Sequence, residues 1–504
     1  MSAIPASDAP ARAGNPWLSL VGICAVTALV WMTASDISLA LPTIAKEFGG
    51  TMDTLQWAVN GYFLAGALII VGGRLGDVFG RRLMFAAGTV LIMVGSVVAA
   101  LSSGATMLIV GRVIEGVGAA AVLPTALAIV AVSFEGRRRD TAIGAWIMTC
   151  WGSQAVGPLV GGLLIASLAW QWIFWINIPI GIAALALVWF TTPESKDAGS
   201  SRSVDIPGAV TLVAGIGLIS YGLVKADSAS PLALGGYFGA AALLLVAFIL
   251  IEKRVKEPVV RLSIFRGARF DGAVLANLIA NIIFGAAIFF MALYLQVVEQ
   301  RTPLEAGLLI LPATIPILLL NPIGTRLHHR YGPGIPTAIG MALLAISAVL
   351  LLRLDGDYSQ LILPFLLLGA GIGLQITPCA SVAVEDPDGA GEGVRSGVFK
   401  ASSMIGGSLG VAIATAIFQS RARYELQDLL AKVDPAKEEV GRFLDVMTGG
   451  VSVDDLKVPD GVDAQSIIVE AFDYAVAFAM MPSVLFAVIG VGVALLLLRG
   501  RSAE

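Results

Sequence analysis

The chain has 504 residues, a formal net charge of −4, 57% hydrophobic and only 13% charged residues, and a mean hydropathy of +0.86. A soluble domain carries about 25% charged residues, so these values exclude a string of soluble domains. Three cysteines (Cys24, Cys150, Cys379), each inside an apolar run, and two histidines (His328, His329) offer neither a disulfide framework nor a metal-ligand cluster.

In chain order, a short polar tail (1–16, with Asp8 and Arg12) leads into apolar runs of about twenty residues, the length that crosses about 30 Å of hydrocarbon. They fall at 17–41, 54–75, 83–101, 107–132, 141–166, 172–191, 207–224, 233–252, 271–297, 304–325, 335–353, 360–383, 395–418 and 473–498. The first lacks a cleavage pattern and is read as a retained span. The 57 glycines suit such spans, where small residues let helix backbones approach closely. The pattern predicts an all-α polytopic protein of the cell membrane with about fourteen spans.

Lys and Arg set the orientation. With the N-terminus inside, inner segments hold Arg12, Arg74, Arg81, Arg82, Arg137, Arg138, Arg139, Lys196, Arg202, Lys253, Arg254, Lys256, Arg261, Arg266, Arg269, Arg326, Arg330, Arg395, Arg499 and Arg501. The short outer loops hold only Lys46, Lys225, Arg301 and Arg353. Both termini are therefore expected to be cytoplasmic, which an even number of spans requires. The stretch 419–472 mixes Glu438, Glu439, Arg442, Asp454, Asp455 and Lys457 with Pro435 and Pro459. It is expected outside, helical to about Leu430 and then a solvated cap that adds little apolar surface.

Spans one to six repeat as nine to fourteen. Span four reads Gly116-Val117-Gly118 then Pro124, and span twelve reads Gly371-Ile372-Gly373 then Pro378. Span five has Gly157-Pro158 and Gly161-Gly162, and span thirteen has Gly406-Gly407 and Gly410. Repeats about a central path are a common plan of secondary transporters. The expected division is a tail 1–16, a bundle 17–191, a linker region 192–270 with two extra spans, a bundle 271–498 that includes the outer loop 419–472, and a tail 499–504.

The turn after span two, Gly73-Arg74-Leu75-Gly76-Asp77-Val78-Phe79-Gly80-Arg81-Arg82, resembles the loop signature of the major facilitator superfamily. Gly144 followed by Gly157-Pro158-Leu159-Val160-Gly161-Gly162 is similar to the family's antiporter motif, with Ser153 in place of a usual glycine. Trp57, Tyr62, Trp170 to Phe174, Asn177 to Gly181, Tyr294-Leu295-Gln296, Ala306-Gly307, Leu311-Pro312 and Asp205 ahead of Gly208 resemble the fourteen-span drug:proton antiporters. The resemblance implies the major facilitator fold, two six-helix bundles plus two inserted helices. It also implies that Gly73, Asp77, Gly80, Arg81 and Arg82 form a cytoplasmic latch between the halves, and that the glycine face of Gly144, Gly157, Pro158, Gly161 and Gly162 seals against leak.

A charge inside a span costs several kcal/mol unless paired or hydrated, so each one is a functional candidate. Arg112 and Glu115 in span four stand i,i+3 on one helix face, and Glu115 replaces the glutamine of the family's Arg-x-x-Gln-Gly. Such a pair serves proton coupling or a static structural role. Asp36 lies one turn beyond the family's usual span-one aspartate, whose place holds Thr33. Its alternative role is a water-exposed residue near the span's outer end. Lys400 either snorkels to the interface or acts as counter-ion to Asp36, Glu115 or an anionic substrate. Trp31, Trp57, Tyr62, Trp146, Trp151, Phe284, Phe289, Phe290 and Lys400 are the cavity candidates; aromatic walls suit planar or cationic drugs.

The chain thus reads as a proton-coupled antiporter exporting amphiphilic or cationic small molecules by alternating access, with no cofactor. Its partners are the substrate, protons and the lipid bilayer, with no nucleic acid and no nucleotide, and a monomer is the expected state. It has no Gly-x-x-x-x-Gly-Lys-Ser/Thr loop for nucleotide and no nucleophile–base or metal set for an enzyme. Rival readings are export of a native lipid-like or metabolite substrate, and a receptor or scaffold acting through the outer loop.

Overall fold

The computed structural model describes residues 15–48, 52–196, 205–226, 229–255, 258, 260, 262–353, 358–385, 392–431, 438–448, 451, 453, 456 and 463–498. Residues 1–14 and 499–504 of the expected tails lie outside these. So do Arg202, Lys256, Arg261, Pro435, Asp454, Asp455, Lys457 and Pro459, and the side chains of Arg137, Trp151, Arg266, Glu438 and Glu439.

The described residues form helices and no strand. They are α1 (Pro16–Phe48), α2 (Met52–Leu55), α3 (Trp57–Gly66), α4 (Ile69–Phe79), α5 (Arg81–Ala100), α6 (Ala105–Ser133), α7 (Gly136–Ser167), α8 (Trp172–Trp175) and α9 (Asn177–Thr191). The chain continues with α10 (Ile206–Val224), α11 (Pro231–Glu252), α12 (Ala268–Val297), α13 (Pro303–Tyr331), α14 (Gly334–Leu350), α15 (Ser359–Val384), α16 (Glu392–Ala431), α17 (Glu438–Met447) and α18 (Ala464–Leu497). A short 3-10 turn at Leu262–Arg266 precedes α12.

Every one of the predicted apolar runs falls on a helix. Among the described residues, eleven helical segments are long and apolar enough to cross a membrane, and α3 with α4, bent by 43°, makes a twelfth. The remaining two runs lie on α7 and on α14, whose 17 residues rise about 25 Å.

Local chemistry sets the helix starts. Asp205 accepts from the Gly208 amide (2.8 Å) ahead of Pro207 in α10, Ser230 caps α11 before Pro231, and Thr302 and Glu305 form a reciprocal capping box around Pro303 in α13. Gly80, at φ +121°, permits the break between α4 and α5.

In the first half α1 packs on α7 and α9, and α6 packs on α3, α4 and α5. In the second half α12 packs on α16 and α18, and α15 on α13 and α14. α10 and α11 pair with each other, α10 resting on α16 and α3. The repeat read from the sequence has a packing counterpart: a methyl at Gly118 would stand 2.7 Å from the Gly88 carbonyl, and one at Gly371 2.7 Å from the Gly340 carbonyl. Each half thus brings two backbones together at a glycine crossing.

The outer stretch corrects one expectation. α16 is helical to Ala431, close to the expected limit, and α18 begins at Ala464, before the apolar run itself. Between them α17 is amphipathic, with Val440, Phe443, Leu444 and Met447 on one stripe. Phe443, Val446, Met447 and Leu456 are buried, as are Leu426 and Leu430 on the projecting part of α16. The segment therefore carries an apolar underside of its own, with Arg442 exposed on another face of α17. Phe443→Ala is expected to cost about 3–5 kcal/mol of packing, read as a lower thermal transition of the purified protein. An unchanged transition would show that the segment is a cap without structural weight.

Candidate functional site

Three of the buried charges, Asp36, Arg112 and Glu115, lie together in the first half. Arg112 and Glu115 are both fully enclosed, and Arg112 Nη1 donates to Glu115 Oε2 at 2.7 Å. Arg112 Nε donates to the Ala58 carbonyl (2.8 Å), and its guanidinium lies 4.3 Å from the centre of the Tyr62 ring. The other Glu115 oxygen accepts from Ser96 Oγ (2.6 Å). Asn177 Nδ2 donates to Ser96 Oγ (2.9 Å) and to Thr33 Oγ1 (3.3 Å). A polar chain thus runs from α1 through α9 and α5 to the ion pair on α6.

Asp36 is 4% exposed, which removes the reading of a water-exposed residue near the span's outer end. Its Cβ packs on Gly161, where a methyl would stand 2.6 Å away, and it lies within the electrostatic reach of Arg112 and Glu115. Asp36 Oδ1 and Arg112 Nη2 have no hydrogen-bond partner among the described residues. A buried acceptor and a buried donor are thus left open in one cluster, an arrangement that costs free energy unless water or a second conformation satisfies them.

Two ion pairs of the loop signature lie within the first half. Arg81 bonds Asp77 (3.0 Å), one turn apart, and Arg82 reaches Glu194 (3.9 Å) after α9. Glu194 also accepts from the amides of Arg82 and Leu83, neutralising the start of α5. These two pairs brace the loop against its own half. Gly73 lies against Pro124 of α6.

The antiporter-motif glycines divide. A methyl at Gly157 would meet Ser35, and one at Gly162 would stand 2.5 Å from the Pro303 carbonyl, while Gly307 faces the Pro158 carbonyl across the same contact. These are backbone approaches of α7 to α1 and α13 that only glycine admits. Gly144, by contrast, faces open space, where a methyl would meet no described residue.

Two cavities lie between the halves on either side of Trp31. The wider, about 430 Å³, extends to Arg81 and Arg139 at the basic end and is walled by Leu123, Leu127 and Trp146 with Lys400. The narrower, about 50 Å³, is lined by Phe284, Phe289, Gln154 and Asn281. Lys400 Nζ lies 5.7 Å from the Trp31 ring centre, and Trp146 Nε1 donates to Thr27 (3.0 Å). The other aromatic candidates are placed elsewhere. Trp57 contacts Tyr221 of α10, Tyr62 lies under Arg112 with its hydroxyl donating to the Val30 carbonyl (2.6 Å), and Phe290 packs on Phe418.

Sequence reading passed over Ser96 and Glu194, because a lone serine in a span and a lone glutamate after one carry no motif. It also missed Asn277, whose amide donates to Phe399, Ser402 and Ser403 and ties α12 to α16.

The Major Facilitator Superfamily profile matches residues 22–411. The chain is 31% identical over 425 residues to the tetracenomycin C resistance and export protein of Streptomyces glaucescens, covering 83% of this chain and 79% of that one. It is 29% identical to the multidrug resistance protein Stp of Mycobacterium tuberculosis (82% and 78% covered) and 29% identical to the quinolone resistance protein NorB of Staphylococcus aureus (79% and 88%). Its fold matches the inward-facing, unoccupied crystal structure of a bacterial homologue of the human lysosomal transporter Spinster, at a TM-score of 0.65 and 15% identity, with 96% of this chain and 97% of that one covered. Fold, buried charges and sequence agree: this chain is a multi-pass membrane transporter and belongs to the Major Facilitator Superfamily.

Proposed function

We propose that the chain exports amphiphilic small molecules from the cytoplasm in exchange for protons, as a monomer with both termini cytoplasmic and bundles at 17–191 and 271–498. The observation that carries the reading is the enclosed Arg112–Glu115 pair with Asp36 beside it. A carboxylate held wholly inside a span, with a guanidinium as partner, is poised to exchange a proton when the pair separates. α6 also forms the wall of the wider cavity at Leu123 and Leu127, about 12 and about 18 Å along the helix from Glu115. Movement of that wall around a substrate therefore acts on the same helix that carries the pair, and Pro124, which cannot complete the helix ladder, gives it a flexing point. The resistance proteins it resembles support a drug-like substrate.

The reading is tested in an efflux-deficient bacterium. Producing the chain should lower steady-state accumulation of a fluorescent quinolone, and a proton uncoupler should restore it. Lowered accumulation that persists with the uncoupler, at constant ATP, would reject proton coupling.

A further inference from the structure

The chemistry of the wider cavity narrows the substrate class, an inference that rests on the transport reading. Arg81, Arg139 and Lys400 contribute to its lining, and no Asp or Glu does among the described residues. The narrower cavity also has no carboxylate in its lining. Among the first-half carboxylates, Asp77 is engaged by Arg81 and Glu115 and Asp36 are enclosed in the bundle, and none of these three lines the cavity. A cationic drug entering from the basic end would therefore meet like charges and no counter-charge. An anion would meet Arg139 near the mouth and Lys400 further in, between low-dielectric walls that concentrate the field.

The apolar part of the site is equally specific. Trp31 and Trp146 lie on the same cavity as Lys400, and the bond from Trp146 to Thr27 fixes its ring. Leu123 and Leu127 complete an apolar wall. About 430 Å³ lies within the range of small-molecule sites, whereas the 50 Å³ beside Phe284 and Phe289 does not. We propose that the wider cavity receives an aromatic organic anion, a carboxylate or sulfonate, with its charge held by Lys400 and its ring against Trp31 and Trp146. This replaces the cationic substrate expected from the aromatic residues alone.

The test uses three probes that share a ring and chain and differ in charge: 1-pyrenebutyrate, 1-pyrenebutanamide and 1-pyrenebutylammonium. Binding to the purified full-length protein is read by energy transfer from tryptophan to pyrene. The carboxylate should bind about 10-fold tighter than the amide, the scale of a charge-assisted hydrogen bond, and the ammonium weakest. Lys400→Gln should erase the preference for the carboxylate over the amide, and Lys400→Arg should retain it. Equal or tighter binding of the amide or the ammonium to the wild type would overturn the proposal. So would a carboxylate preference that survives in a folded Lys400→Gln protein. Should that variant not fold, the order of the three probes on the wild type decides. Binding in this order without any transport in liposomes would leave the site standing and reject the exporter reading alone.

Discussion

Glu115→Gln is expected to abolish substrate-evoked proton movement while leaving substrate binding within about twofold of wild type, since Glu115 lines neither cavity. The substitution keeps the shape of the side chain: the amide oxygen can accept from Arg112 and the amide nitrogen can donate to Ser96 Oγ, where the carboxylate accepts from both at 2.7 and 2.6 Å. What it removes is the titrating group and the charge opposite Arg112. A buried cation is then left beside Tyr62 and the Ala58 carbonyl, with Asp36 the nearest acid within electrostatic reach. A lower thermal transition is the expected side effect of an uncompensated buried charge. Asp36→Asn measured alongside separates the two acids. Preserved coupling in Glu115→Gln with lost coupling in Asp36→Asn would place the proton on α1 instead. Preserved coupling in both would remove this cluster from the mechanism.

Gly162→Val is expected to reduce transport by about fivefold or more with normal membrane insertion. The added methyl groups would enter the space where α7 meets the Pro303 carbonyl and Leu304. The obstacle is backbone, which cannot rotate away as a side chain could, so the halves must part at that end. Overpacking of this kind costs about 1–3 kcal/mol, enough to shift a two-state equilibrium by about 5- to 150-fold towards the opened form. With Cys24, Cys150 and Cys379 replaced, a single cysteine at Ser38, which lines the narrower cavity, should become more reactive to a water-soluble thiol reagent added from that side. Unchanged turnover and unchanged labelling would show that the contact is packing without a gating role. Gly144→Ala is the matched control, since its methyl would project into open space, and it should transport normally.

Much of this architecture is legible in the sequence because the membrane enforces it. A run of about twenty apolar residues has few other places to go, and its backbone must close its own hydrogen bonds as a helix. Hence all the predicted runs are helical, down to the capped starts of α10 and α13. The Arg112–Glu115 pair was legible for the same reason, since i,i+3 spacing on one helix fixes the distance. Contacts between helices far apart in sequence were not legible. The chain from Thr33 through Asn177 and Ser96 to Glu115 joins residues up to 144 positions apart, and no local pattern encodes it. The same limit explains the aromatic residues, where Trp31 and Trp146 line the wider cavity but Tyr62 and Phe290 are absorbed into packing. Hydrophobicity marks a residue as buried without saying on which side of the helix the cavity lies. The outer segment misled for a further reason: its mixed charge hid the short stripe Val440, Phe443, Leu444 and Met447.

Proton coupling is the central claim, and it is tested most directly by thermodynamics in sealed liposomes holding only the purified wild-type protein. A transportable fluorescent probe is set at equal concentration on both sides, and a pH difference is then imposed without any other gradient. Coupled exchange predicts that the probe moves uphill until its own gradient balances the proton gradient, and that reversing the pH difference reverses the movement. A probe that stays at equal concentrations under either pH difference, while still equilibrating through the protein when given a gradient of its own, would contradict it.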